Sequence, residues 1–339
     1  MQSVSHLLLF PFLLLFSVSF SSANELLSCV EVDCPIKEGS AITDCRIVNQ
    51  TFGGIGLASI PAPSEIFGNQ DGDVNLTWSV GIDHYDGIDP DDRNQRYIER
   101  LYYLGTPPSV NLTADDLEYG GCALYMTLED NNNIFYDSSL PRDLSTSYCG
   151  NYLDDTCMSA LNSKFSELAG EHHPGSPETD ICSAIASDLQ ANLPSSCPGL
   201  TSARSIVRGV SLTGSQAPSP PTEAQNSTSN CHPTLPKSND LTRVFAYNIS
   251  ASVYVSETAP AILGETPVWS VFWSKGQSEG NDDARIENPS VQMVCLRPLE
   301  KNAATEMNKA ENAASTLVLS SVWGVVVSVS VMMFLFEMF

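Results

Sequence analysis

The chain has 339 residues, 42% of them hydrophobic, and carries 40 Asp and Glu against 16 Lys and Arg, a formal net charge of −24 at pH 7. That balance excludes nucleic-acid binding as a main role, because such affinity comes largely from Lys and Arg on phosphates. The acidity reads instead as a solvated surface that keeps an exposed protein soluble.

At the N-terminus, residues 7–16 form an uncharged apolar run too short to span a bilayer, followed by Ser21-Ser22-Ala23. This is the small-x-small pattern of a secretory signal peptide, so residues 1–23 are expected to be removed after Ala23, although residues 1–6 lack Lys and Arg. Only Glu337 among the acidic residues lies in the segments expected to be removed at the two ends. The mature chain, residues 24–312, therefore keeps 39 acids against 16 bases, a net of −23. Its length suits one large domain or two small ones.

All ten cysteines fall inside this part: Cys29, Cys34, Cys45, Cys122, Cys149, Cys157, Cys182, Cys197, Cys231 and Cys295. In a secreted chain an even number implies disulfides, and no Cys-x-x-Cys pair argues for zinc. Five bridges are expected. Sequons for N-glycosylation stand at Asn49, Asn75, Asn111, Asn226 and Asn248.

In chain order, the first clear strand alternates Val74, Leu76, Trp78, Val80 and Ile82 with Asn75, Thr77, Ser79 and Gly81, which places Asn75 on a wet face. The acidic stretch Asp83, Asp86, Asp89, Asp91 and Asp92 does not fit an EF-hand. Aligning Gly87 with that loop's glycine puts Ile82 and Arg93 where carboxylates are required, and the stretch reads as an acidic loop. Cys122, Leu124, Met126 and Leu128 alternate with Ala123, Tyr125 and Thr127 as a second strand.

Two helices follow. Asp154 and Asp155 cap a segment whose stripe is Cys157, Leu161, Phe165 and Leu168 and whose end is Gly170. Ser176 with Pro177 opens the second, with the stripe Ile181, Ile185 and Leu189, stopped by Pro194. Between them, adjacent His172 and His173 point to different sides of the chain and read as a solvated loop rather than metal ligands. A short connection makes the helices antiparallel and brings Cys157 and Cys197 to the same end, where they can bond. Cys182 and Cys197, about 17 Å apart at 1.5 Å per residue, cannot.

Residues 211–240 contain 15 Ser, Thr or Pro among 30, a composition expected to bury no apolar surface. The segment reads as an O-glycosylated loop or linker, fastened by Cys231 with Cys295 as its expected partner. Strands resume in residues 241–298, where Phe245, Tyr247, Ile249, Ala251 and Val253 alternate with Asn248, Ser250 and Ser252. Val268, Trp269, Val271, Phe272 and Trp273 read as a strand covered on both faces, the competing idea being a carbohydrate platform on Trp269 and Trp273. Gly276-Gln277-Ser278-Glu279-Gly280 matches a nucleophile elbow, but the last histidine, His232, precedes Ser278, against the order that family requires. It reads as a hairpin turn. No carboxylate pair for glycoside hydrolysis is singled out among the acids. No catalytic set, cofactor or metal site is assigned.

Residues 299–312 form a polar stalk, and residues 317–336 an uncharged apolar run of about 30 Å as a helix. Nothing basic follows it, which favours a removable glycolipid-attachment signal over a retained transmembrane helix. Asn312-Ala313-Ala314 supplies the attachment triplet, with 27 residues to the end, and Asn302-Ala303-Ala304 is the alternative. Residues 313–339 are then a propeptide or, on the other reading, a single span.

The order strands, helices, strands gives an α+β fold: a disulfide-stabilised antiparallel β-sheet domain, residues 24–210 and 241–298, with a two-helix insertion. In architecture the signal peptide, sequons, Ser/Thr/Pro segment, cysteines and tail resemble the glycolipid-anchored surface glycoproteins of filamentous fungi. The resemblance implies residence at the outer plasma membrane or in the cell wall, with the membrane's outer leaflet and cell-wall polysaccharide as partners. It implies no particular activity. A structural, adhesive or interaction role is expected, the alternative being an anchored enzyme or lectin acting on wall polysaccharide.

Overall fold

The computed structural model describes residues 27–28, 45–63, 75–83, 95–128, 149, 153–174, 176–202, 205–252, 264–275 and 285–299. The signal peptide, Asp86 to Asp92, Gly276 to Gly280, Asn302, Asn312 and the apolar tail lie outside these residues, as do Cys29 and Cys34. Among the described residues, ten strands and four helices follow one another. They are β1 (Leu27–Ser28), β2 (Cys45–Ile47), β3 (Gln50–Pro61), β4 (Asn75–Asp83), β5 (Gln95–Thr106), β6 (Tyr119–Leu128), α1 (Asp155–Gly170), α2 (Glu178–Ala191), α3 (Pro198–Ser202), β7 (Ser205–Ser211), α4 (Glu223–Asn226), β8 (Asp240–Ser252), β9 (Thr266–Ser274) and β10 (Ser290–Leu296).

Every described pairing is antiparallel. The strands make two sheets rather than one: a six-stranded sheet in the order β1-β3-β4-β5-β8, with β2 on β3, and a four-stranded sheet in the order β10-β9-β6-β7. The fold is α+β, as the order of elements in the sequence predicts.

Alternation explains the layering. Leu76, Trp78 and Val80 of β4, Tyr102 and Leu104 of β5 and Phe245 of β8 meet Ala123 and Tyr125 of β6 and Val268 and Phe272 of β9 in one core between the sheets. Trp78 Nε1 donates across it to Ser270 Oγ at 2.8 Å. The opposite side chains of the four-stranded sheet, among them Cys122, Leu124, Trp269, Val271 and Trp273, pack on the apolar stripes of α1 and α2. That sheet is therefore buried on both faces, which is why β9 is a nearly unbroken apolar run.

The helix boundaries follow from their local chemistry. Asp154 caps α1 by accepting from the Cys157 N–H at 2.8 Å, satisfying one of the N–H groups left open in a first turn. For α2 the N-cap is Pro177, with no side-chain bond, so Ser176 stands one position too early to serve. Gly209 of β7 lets α2 approach closely, since a Cβ there would overlap the Cys182 carbonyl.

Three disulfides close among the described residues: Cys122–Cys182, Cys149–Cys295 and Cys157–Cys197. The last is the bridge that the antiparallel helix pair predicts, and Cys182 bonds β6 rather than Cys197. The expected Cys231–Cys295 bridge is incorrect. Cys295, at the end of β10, bonds Cys149 ahead of α1, and Cys231 is disulfide-bonded to a partner outside those three pairs.

Residues 211–240 require a second correction. Its later part, residues 228–239, packs as a strap over the outer face of the six-stranded sheet, where Cys231 and Leu235 join Ile55, Leu57, Leu101, Tyr103 and Leu241 of β8, while Leu212 enters the core between the sheets. Thr77 and Ser79, expected on a wet face, are 0% exposed beneath the strap. Prolines without N–H groups cannot extend a ladder. Instead the strand hydroxyls reach the strap, Thr77 Oγ1 donating to the Leu235 carbonyl at 2.8 Å and Ser79 Oγ to that of Pro233 at 2.6 Å.

Candidate functional site

The most concentrated polar chemistry lies between the sheets, where β5 and β8 face the start of β9. In β5 the inward register runs Ile98, Arg100, Tyr102, Leu104, so a guanidinium occupies an apolar position and is 0% exposed. Arg100 Nη2 donates to the Gly264 carbonyl at 2.6 Å and Nη1 to Thr266 Oγ1 at 3.3 Å. Tyr102 donates to the same Thr266 hydroxyl at 2.7 Å, and Tyr247 lies 2.8 Å from it and 3.1 Å from the Tyr102 hydroxyl.

Above these groups the rings form a stack. Phe245 lies parallel to Tyr125 with centroids 3.8 Å apart and to Tyr102 at 4.2 Å, contacts of the kind that add about 0.5–1.5 kcal/mol each beyond burial. Burial works against the Arg100 charge, yet Tyr102, Tyr247 and the Glu265 carboxylate outweigh it and hold the guanidinium above its usual value. Burial also pushes the Tyr102 phenol well above its ordinary value near 10, partly opposed by the Arg100 charge. The hydroxyls bond to one another and no nucleophile stands beside a base. The geometry is that of a polar pin joining the two sheets.

Cys149, Glu265 and Cys295 bring two sulfurs and a carboxylate oxygen within 4.8 Å of one another. The two sulfurs form a disulfide, so neither is the thiolate that metal ligation requires. Glu265 is the one buried carboxylate among the described residues.

The asparagines of all five sequons are exposed: Asn49 between β2 and β3, Asn75 at the start of β4, Asn111 in the loop after β5, Asn226 at the end of α4 and Asn248 within β8. At Asn111 the side-chain oxygen accepts from Thr113 N–H and Oγ1–H, at 3.1 and 2.8 Å. Trp269 and Trp273 are 0% exposed and face α1 and α2, which removes them as a carbohydrate platform. His172 and His173 are half-buried rather than fully solvated, the His172 carbonyl accepting from Ile286 N–H at 3.0 Å. Of the acidic stretch, only Asp83 is described, as the backbone end of β4. Among the described residues no helix is long and apolar enough to cross a membrane.

Arg100, Glu265 and Thr266 carry no motif. The signal in sequence is the charge at an inward position of Ile98-x-Arg100-x-Tyr102-x-Leu104, visible only once β5 is recognised as a strand. No family model, curated protein or solved structure matches the chain.

Proposed function

We propose that this chain is a secreted cell-surface glycoprotein, anchored to the outer leaflet of the plasma membrane or to the cell wall, with a structural, adhesive or interaction role. One observation carries the reading. The fold buries many of its small polar residues, Thr77, Ser79, Thr213, Thr234 and Asn239 among them, yet leaves each of the five sequon asparagines open to solvent. Attachment of glycans at these positions is compatible with the packed domain, and three interlocking disulfides suit an oxidising, extracellular setting.

The anchor reading rests on the sequence of the tail, with Asn312 as the attachment residue and Asn302 as the alternative. The competing idea of a polysaccharide-binding protein loses its two candidate platform residues, Trp269 and Trp273, to the core.

Two treatments test the proposal. Peptide-N-glycosidase should lower the apparent mass of the protein from its native host, with Asn75 and Asn248 among the released sites. Phosphatidylinositol-specific phospholipase C should release it from membranes, and replacing both Asn302 and Asn312 with a large residue should block anchoring. Retention of the intact tail, detected by mass spectrometry in the membrane-bound protein, sinks the glycolipid anchor.

A further inference from the structure

An edge strand presents a row of backbone N–H and C=O groups that can pair with another chain, and folded proteins close such edges by specific means. Two edges of this fold are closed by hydrogen bonds. On β7, the Gln190 side chain of α2 takes the place of a neighbouring strand, Nε2 donating to the Ser205 carbonyl at 2.6 Å and Oε1 accepting from Val207 N–H at 2.7 Å. On β2, the strap does the same work. Arg46 N–H donates to Asn230 Oδ1 at 2.6 Å, the Arg46 carbonyl accepts from the N–H groups of Asn230 and Cys231 at 3.0 and 3.1 Å, and Val48 N–H donates to Ser229 Oγ at 2.6 Å.

The far edge of the six-stranded sheet is β8, with 13 residues the longest strand. Among the described residues nothing bonds to its outer backbone. Its exposed charges, Asp240 and Arg243, both lie near its start. Farther along stands Asn248, exposed, paired across the ladder with Glu99 and followed by Ile249 and Ser250 to complete a sequon.

We infer that the N-glycan on Asn248 is the cover of this edge, obstructing antiparallel pairing of β8 with β8 of a second copy. The inference rests on the reading of Asn248 as a glycosylated residue and assigns that glycan a role the other four lack. An N-linked glycan is bulky and hydrated, and one rooted on an edge strand occupies space that an incoming strand must fill. At 13 residues the strand is long enough to add a continuous ladder about a two-fold axis, the commonest symmetry of self-association.

The test compares the full secreted protein with Asn248→Gln and Ser250→Ala, which abolish the same sequon by different side chains, and with Asn75→Gln, which removes a glycan elsewhere. Occupancy of Asn248 in the parent is read by glycopeptide mass spectrometry, independently of association. Light scattering then gives the mass in solution, and hydrogen exchange gives the protection of the β8 amides. The parent and Asn75→Gln should remain at the mass of one chain with rapidly exchanging outer β8 amides. Both Asn248→Gln and Ser250→Ala should rise toward twice the chain mass as concentration increases, with slowed exchange in β8. Monomeric behaviour of both variants, or association without added protection in β8, overturns the inference. An unoccupied Asn248 overturns it together with glycosylation at that site, and the mass spectrum identifies that cause.

Discussion

Replacing Arg100 with Met keeps a long, flexible side chain between the sheets while removing the guanidinium. Hydrogen bonds from a charged donor are lost, among them those to the Gly264 carbonyl at 2.6 Å and to Thr266 Oγ1 at 3.3 Å, each contributing about 1.5–3 kcal/mol when the donor is ionised. The Glu265 carboxylate also loses a nearby cation, the smallest of the influences on Arg100. The contacts overlap, so the expected loss is about 4 kcal/mol. Urea unfolding with the disulfides intact, followed by near-ultraviolet circular dichroism, measures it. The double variant Arg100→Met with Glu265→Gln should cost less than the two single changes added together, because residues in one charge network couple by about 0.5–3 kcal/mol. A loss below about 1 kcal/mol for Arg100→Met, typical of a surface change, would refute the idea that this cluster pins the sheets together.

Replacing Cys157 and Cys197 by Ser opens a loop with a sequence separation of 40. On the chain-entropy model this costs about 4 kcal/mol, read from the shift of the unfolding midpoint; a midpoint within error of the parent would mean that the bridge does not constrain the unfolded chain. Gly209→Ala should destabilise by about 1–3 kcal/mol, as overpacking does, since the new methyl overlaps the Cys182 carbonyl; an unchanged melting temperature would place α2 farther from β7. Burial raises the phenols of Tyr102, Tyr119 and Tyr125 above their ordinary value. Folding stability is then fully present below about pH 10 and falls as the pH rises beyond it, because the unfolded chain releases phenolic protons first. Alkaline titration of phenolate absorbance checks this, and ionisation of every tyrosine of the folded protein near its ordinary value would contradict it.

The sequence by itself determined the elements whose local chemistry is self-contained. Asp154, the stripe through Leu161 and Phe165, and Gly170 specify α1 through a cap, a 3.6-residue period and a stop, all within one segment. The helix pair in turn specified Cys157–Cys197, because a short connection fixes which ends meet. The continuous apolar run of β9 likewise announced burial on both faces.

What covers each face was decided only by the tertiary structure. Thr77 and Ser79 sit at outward positions of β4, and an outward position is wet only if nothing packs on it. A strap 154 to 158 residues away in sequence supplies the cover, and composition alone cannot report so distant a contact. The same reason hid Cys149 as the partner of Cys295, at a separation of 146, and hid the pin of Arg100, Tyr102, Tyr247 and Thr266, whose members lie on three strands in two sheets. Periodicity records which side of an element is apolar. The identity of the surface facing that side is a property of the packed chain.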